Sequence, residues 1–179
     1  MRRVGASTRS GYAPSCGMPY EIASVLERRW RRLREDVRAV EEAVELDDVA
    51  EVMDAVESAL DSLYRLTEGL KLQQVRTASE TPFHQAWGEA GGETTFGLVY
   101  ARGHDLHKLI VLFDRHSFGS HGFGEGPFGG GWAWVTDAQP DRSRKPRDEW
   151  YARHVANQLL PAPFTVALTW LDETFRPET

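Results

Sequence analysis

The chain has 179 residues, with 21 Lys and Arg against 27 Asp and Glu, a formal net charge of -6 and 41% hydrophobic residues. A chain of this length buries roughly 70% of its unfolded surface on folding, so neither a metal nor a disulfide is needed to hold it. The one cysteine, Cys16, excludes an intramolecular disulfide framework and a Cys-rich zinc site, and no run approaches the roughly 20 apolar residues of a membrane span.

The charge is unevenly spread. Residues 1–35 carry a net +5, residues 36–70 a net -9 and the remainder -2. Residues 1–19 have no hydrophobic period and hold Gly5, Gly11, Pro14, Gly17 and Pro19, which predicts a flexible N-terminal arm. No apolar stretch follows the first arginines, so a secretory signal is not expected and the cytoplasm is the default compartment.

From Tyr20, the residues Ile22, Val25, Leu26, Trp30, Leu33, Val37, Val40 and Val44 recur at spacings of three and four. They predict one long helix ending near Leu46. Asp47 and Asp48 offer an N-cap for a second helix, with Val49, Val52, Met53, Val56, Leu60, Leu63 and Leu70 as its stripe, running to about Arg76. Two long helices joined by so short a corner must lie antiparallel.

Thr81 as N-cap and Pro82 at the first helical position predict a short third helix through Phe83, Trp87 and Ala90, which Gly91 and Gly92 should break or kink. A fourth helix is expected from Glu93 to Phe113. The segment 117–131 holds seven glycines and reads as a long loop or lid, with Phe118, Phe123 and Phe128 as anchors. Trp132 to Thr136 predicts one short strand, with both indoles on one face sealing the core. A polar loop, Gln139 to Arg147, leads to a helix from Asp148 to Leu160, with Trp150, Tyr151, His154, Val155 and Leu159 inward. Pro161 and Pro163 stop it, and Phe164 to Phe175 forms the last helix. The expected fold is mainly α: a helical bundle built on the long hairpin, in one domain over residues 20–179, with little or no β.

The densest grouping of reactive side chains is Arg102, His104, Asp105 and His107. An arginine is a permanent bidentate phosphate ligand, and a histidine changes charge near neutral pH. On one helix, Arg102 and His107 would be turned by roughly 140° and about one turn of rise, so both can border one cleft. The pair suits attack of a ribose 2′-hydroxyl on the adjacent phosphate, with His107 moving the proton and Arg102 stabilising the developing charge without a metal or other cofactor.

The segment GLVYARGHDLHKLI, Gly97 to Ile110, resembles the Arg, four to six residues, His motif of HEPN-superfamily proteins. With the later Trp-containing segment and the Tyr151 to Asn157 element, it also resembles an uncharacterised actinobacterial group. HEPN domains are small all-α bundles, commonly homodimeric. Many are metal-independent endoribonucleases that act as toxins or in antiphage defence, and the Arg and His of two subunits meet in a composite site. The resemblance implies that Arg102 and His107 are catalytic, that RNA is the substrate and that a partner antitoxin protein is possible; the neighbouring Tyr100, His104 and Asp105 are the expected substrate-binding residues. Gly103 stands where many active members carry a polar residue. The alternative is therefore a non-catalytic helical interaction module that binds a protein or nucleotide partner.

Other readings compete for the same residues. His104 and His107 one turn apart, with His116 and His121 downstream, form a permissive metal pattern, though nothing in the spacing fixes a third ligand. Arg28, Arg29, Arg31, Arg32 and Arg34 could follow RNA phosphates, while Glu27, Glu35, Asp36, Glu41 and Glu42 lie close enough to pair with them. The acidic face of the second helix, with Asp54, Glu57 and Asp61, should repel nucleic acid and could receive the arginine face of a second subunit.

Overall fold

A computed structural model of the chain describes residues 20–77, 88–113, 131–136 and 146–175. The expected arm with Cys16, the helix start at Thr81 and Pro82, His116, His121, the three loop phenylalanines and residues 139–145 of the expected polar loop lie outside the described residues. Among the described residues are six helices and a two-stranded sheet, so the protein is a mainly α-helical bundle.

Helices α1 (Tyr20–Leu46) and α2 (Val49–Thr77) pack on one another as the hairpin. Trp30, Leu33, Val37 and Val40 of α1 are buried with Val52, Val56, Leu60, Leu63 and Leu70 of α2, which is the pair of stripes that the spacing predicts. The two aspartates divide the corner between them. Asp47 takes the left-handed conformation at φ 59°, which a short polar side chain tolerates better than most, and its N–H donates to the Ala43 carbonyl at 3.2 Å. Asp48 is the N-cap, its Oδ1 accepting from the N–H groups of Ala50 at 2.8 Å and Glu51 at 3.2 Å.

Helix α3 (Ala90–Ala101) lies between the hairpin and the C-terminal helices and is buried on nearly every face. Thr94 and Thr95 are buried because their hydroxyls donate to the carbonyls of Ala90 and Gly91 one turn back. Gly91 and Gly92 do not break the chain here but form its first turn. Close packing explains Gly91: a Cβ there would sit 2.4 Å from Cβ of Trp170, and one at Gly97 would sit 3.0 Å from Cα of Tyr151. Both glycines let neighbouring helices approach α3.

The single helix expected from Glu93 to Phe113 is three elements. α3 ends at Ala101, where Gly103 and His104 close tight turns on the carbonyls of Tyr100 and Ala101. Asp105 then caps a one-turn helix, α4 (Leu106–Leu109), and the chain extends into strand β1 (Ile110–Phe113). Strand β2 (Gly131–Trp134) pairs antiparallel to it, with Ile110 opposite Trp134 and Phe113 opposite Gly131.

The expected helix over 148–160 is also shorter. α5 spans Arg147–His154, Asn157 has φ 64°, and residues 157–160 bond to the free edge of β2 through Trp132 and Trp134 backbone groups. α6 (Ala162–Phe175) follows, with Pro163 inside its first turn rather than before it, a position where a missing N–H costs nothing. The two strand indoles are sealed in as expected. Nε1 of Trp134 donates to the Leu160 carbonyl at 3.1 Å, and Nε1 of Trp132 reaches back to Asp47 Oδ1 at 3.0 Å, tying the sheet to the hairpin corner. The middle of α1 is tied to α6, where Asp172 accepts from Trp30 Nε1 at 2.6 Å and from Arg34 Nη2.

Candidate functional site

Because the chain turns at Gly103, Arg102 and His107 do not share a helix. They are delivered from either side of the turn, and both line one cleft of about 460 Å³ against α2. Met53, Leu60 and Leu106 give it apolar surface, and His104 lines it too. Its opposite wall is acidic. Asp54, Glu57 and Asp61 stand at i, i+3 and i+7 on α2, a spacing that puts all three on one face.

Arg102 is already occupied. Its Nε donates to Asp61 Oδ1 at 2.5 Å, and its guanidinium carbon sits 4.4 Å from the ring centroid of Tyr64, within range of a cation–π contact. Asp61 shares its second oxygen with Arg65 at 3.6 Å. The sequence placed Asp61 on an acidic face but did not pair it with Arg102, and it did not point to Tyr64; the i, i+3 step from Asp61 to Tyr64 is the signal that could have done so.

The two histidines differ. His104 is half-buried; its Nδ1 donates to the Tyr100 carbonyl at 2.9 Å and its ring packs on that of Tyr100 at 4.1 Å between centroids. That bond leaves Nε2 as the atom available to a ligand. His107 is exposed, with its backbone N–H donating to Asp105 Oδ1 at 3.2 Å.

Of the expected substrate-binding residues, Tyr100 lies off the cleft and Asp105 is engaged locally. Tyr100 is 3% exposed, in a ring cluster with His104 and Tyr151, and is not among the cleft-lining residues. It is buried because α3 is central. Asp105 spends its carboxylate on capping α4 and on a 3.6 Å contact with Lys108. His154 is likewise packed rather than free for the cleft: its Nε2 lies 2.7 Å from Glu93 Oε2, which also meets Arg153 at 3.4 Å. Among the described residues no group of three or more His, Cys, Asp or Glu side chains is arranged to hold a metal ion, and no helix is long and apolar enough to cross a membrane.

The electrostatic sum decides what the cleft accepts. Among the described residues three carboxylates face one guanidinium, so with neutral histidines this lining carries a formal -2. A phosphate entering it would meet roughly 1–3 kcal/mol of repulsion from each unpaired carboxylate at about 6 Å, for an effective dielectric between water and a protein surface. A cation would gain by the same amount. Comparisons with family models, curated proteins and solved structures find no match for the chain.

Proposed function

We propose that the chain is a non-catalytic helical interaction module whose Arg102 cleft receives a basic segment of a protein partner. The acidic wall carries this reading: Asp54, Glu57 and Asp61 line the cleft, and Asp61 neutralises the guanidinium of Arg102. The apolar side chains of Met53, Leu60 and Leu106 match the aliphatic stems of lysine or arginine, whose charged heads would sit on the carboxylates. The test is titration of a fluorescent oligo-lysine peptide against wild type and against the double variant Asp54→Asn/Glu57→Gln. Affinity should fall at least tenfold in the variant, a loss of about 1.4 kcal/mol. Equal affinity would refute the assignment.

One observation favours the second reading, a metal-independent endoribonuclease of HEPN type: Arg102 and His107 line the same cleft. In that reading a second subunit would complete the site, His107 would take the 2′-hydroxyl proton and Arg102 would hold the crowded phosphate. Asp61→Asn separates the two readings, because it frees Arg102 and removes a repelling charge. RNA cleavage in EDTA that rises with Asp61→Asn and vanishes with Arg102→Ala or His107→Ala would establish the ribonuclease. No cleavage by any of these proteins, together with peptide binding, establishes the module.

A further inference from the structure

Across Asp61 from the acidic cleft, α1 and α2 enclose a second groove of about 510 Å³ whose polar lining is dominated by Arg28, Arg29, Arg32 and Arg65, with Ser58 and Ser62 between them. We infer that this groove binds a phosphate-bearing polyanion. The inference goes beyond the proposed function and stands without it, since it uses a different face of α2.

Among the described residues four guanidiniums meet two carboxylates there, and neither carboxylate is free. Asp36 is 5% exposed; its oxygens accept from Arg32 Nε at 3.1 Å, from Arg32 Nη2 at 3.0 Å and from the Ser62 hydroxyl at 2.5 Å. Asp61 is held by Arg102 at 2.5 Å and reaches Arg65 only at 3.6 Å. The lining therefore keeps a formal +2.

Two of the cations are fixed before any ligand arrives. The forked contact with Asp36 orients Arg32. Arg29 Nη1 donates to the Arg65 carbonyl at 2.7 Å, a neutral acceptor that positions the guanidinium without cancelling its charge. Among the described residues neither Arg28 nor Arg29 has a carboxylate partner. Like charges crowded around one groove repel, and an anion between them relieves that cost.

The chemistry of the ligand follows from what lines the groove. Guanidinium forks match the oxygens of a phosphate bidentately. Among the described residues Val25 is the one apolar residue in the lining and no aromatic ring lines it, so they supply no platform for stacking a base. Recognition is of phosphates and their spacing, and the volume is that of a small-ligand site with room for more than one phosphate. Either a free polyphosphate or the backbone of a nucleic acid presents that chemistry.

The experiment titrates the full chain with inorganic tripolyphosphate and with a fluorescent single-stranded oligouridine, using an oligoglutamate peptide as a phosphate-free polyanion. The variant is Arg28→Gln/Arg65→Gln, which leaves the buried Asp36–Arg32 pair intact, and a thermal melt checks that it folds. Binding of either phosphate ligand, weakened at least tenfold in the variant, supports the inference. Tripolyphosphate alone identifies a small ligand, and oligouridine as well identifies a backbone. For the RNA arm, the slope of log affinity against log salt should lessen by about 0.7 for each phosphate contact removed, which a merely structural role for these arginines would not produce. No binding of either phosphate ligand, equal binding by wild type and variant, or oligoglutamate bound as tightly, would overturn it.

Discussion

Gly91→Ala tests whether α3 and α6 are packed as closely as the structure requires. The added Cβ would lie 2.4 Å from Trp170 Cβ, 2.5 Å from Cγ and 2.8 Å from Cδ1, where carbon atoms prefer about 3.5–4.0 Å. Trp170 Cβ is fixed by the backbone of α6, so no rotamer change clears it. The two helices must therefore separate by about 1 Å, which strains the 3.0 Å bond from the indole to Glu89. Overpacking of this kind costs about 1–3 kcal/mol, and alanine's better helix propensity returns at most about 1 kcal/mol. The expected net loss of about 1–2 kcal/mol lowers the midpoint of a thermal melt by about 2–8 °C for a chain of this size. Gly69→Ala in α2 is the matched control. Its Cβ would meet Arg29 Nη1 at 2.5 Å and Leu26 Cδ2 at 2.9 Å, both ends of side chains that can yield; losing the bond from Arg29 to the Arg65 carbonyl is offset by alanine's better helix propensity, so its stability should stay within about 1 kcal/mol of wild type. A melt in which Gly91→Ala equals or exceeds wild type, or in which Gly69→Ala loses more than Gly91→Ala, would refute this packing.

Three other substitutions probe the ties around the bundle by urea unfolding. Asp172→Ala leaves the Trp30 indole and Arg34 without their acceptor; charged hydrogen bonds give about 1.5–3 kcal/mol, and with the carboxylate 34% exposed the loss should be about 1–2 kcal/mol. Tyr151→Phe removes the 2.6 Å bond from the phenol to the Val135 carbonyl and should cost about 0.5–1.5 kcal/mol, with no loss placing that tie in doubt. Asp48→Ala should cost about 0.5–2 kcal/mol, while Asp48→Asn, which can still cap, stays near wild type; equal losses for the two would rule out capping as the cause.

Hydrophobic period made the hairpin legible. Its helices are long enough for spacings of three and four to repeat many times, and Asp47-Asp48 supplies both a left-handed residue and a cap. The period failed between Glu93 and Phe113 because α3 is buried on nearly all sides, and a helix without a solvent face has no stripe to read. The break inside that segment was written locally all the same. Gly103 weakens a helix, Asp105 can cap a new one, and Ile110-Val111 is a β-branched pair that favours an extended chain. The C-terminal helix was shortened by contacts that no local rule reveals: residues 157–160 leave it to satisfy the edge of β2.

The candidate site was legible as residue types and not as charge balance. An arginine and two histidines within six residues suggested phosphate chemistry, and they do border one cleft. What that cleft attracts is set by α2, some forty residues earlier in the chain, whose acids become its other wall only when the hairpin docks against the turn at Gly103. Asp61 governs both faces of that helix: one oxygen neutralises Arg102 at 2.5 Å and the other lies 3.6 Å from Arg65. A single carboxylate on α2 therefore separates a negative cleft from a positive groove, and removing its charge shifts both toward anions. For that reason Asp61→Asn should weaken the oligo-lysine peptide and strengthen tripolyphosphate in the same protein, a pair of opposite changes that general unfolding cannot imitate.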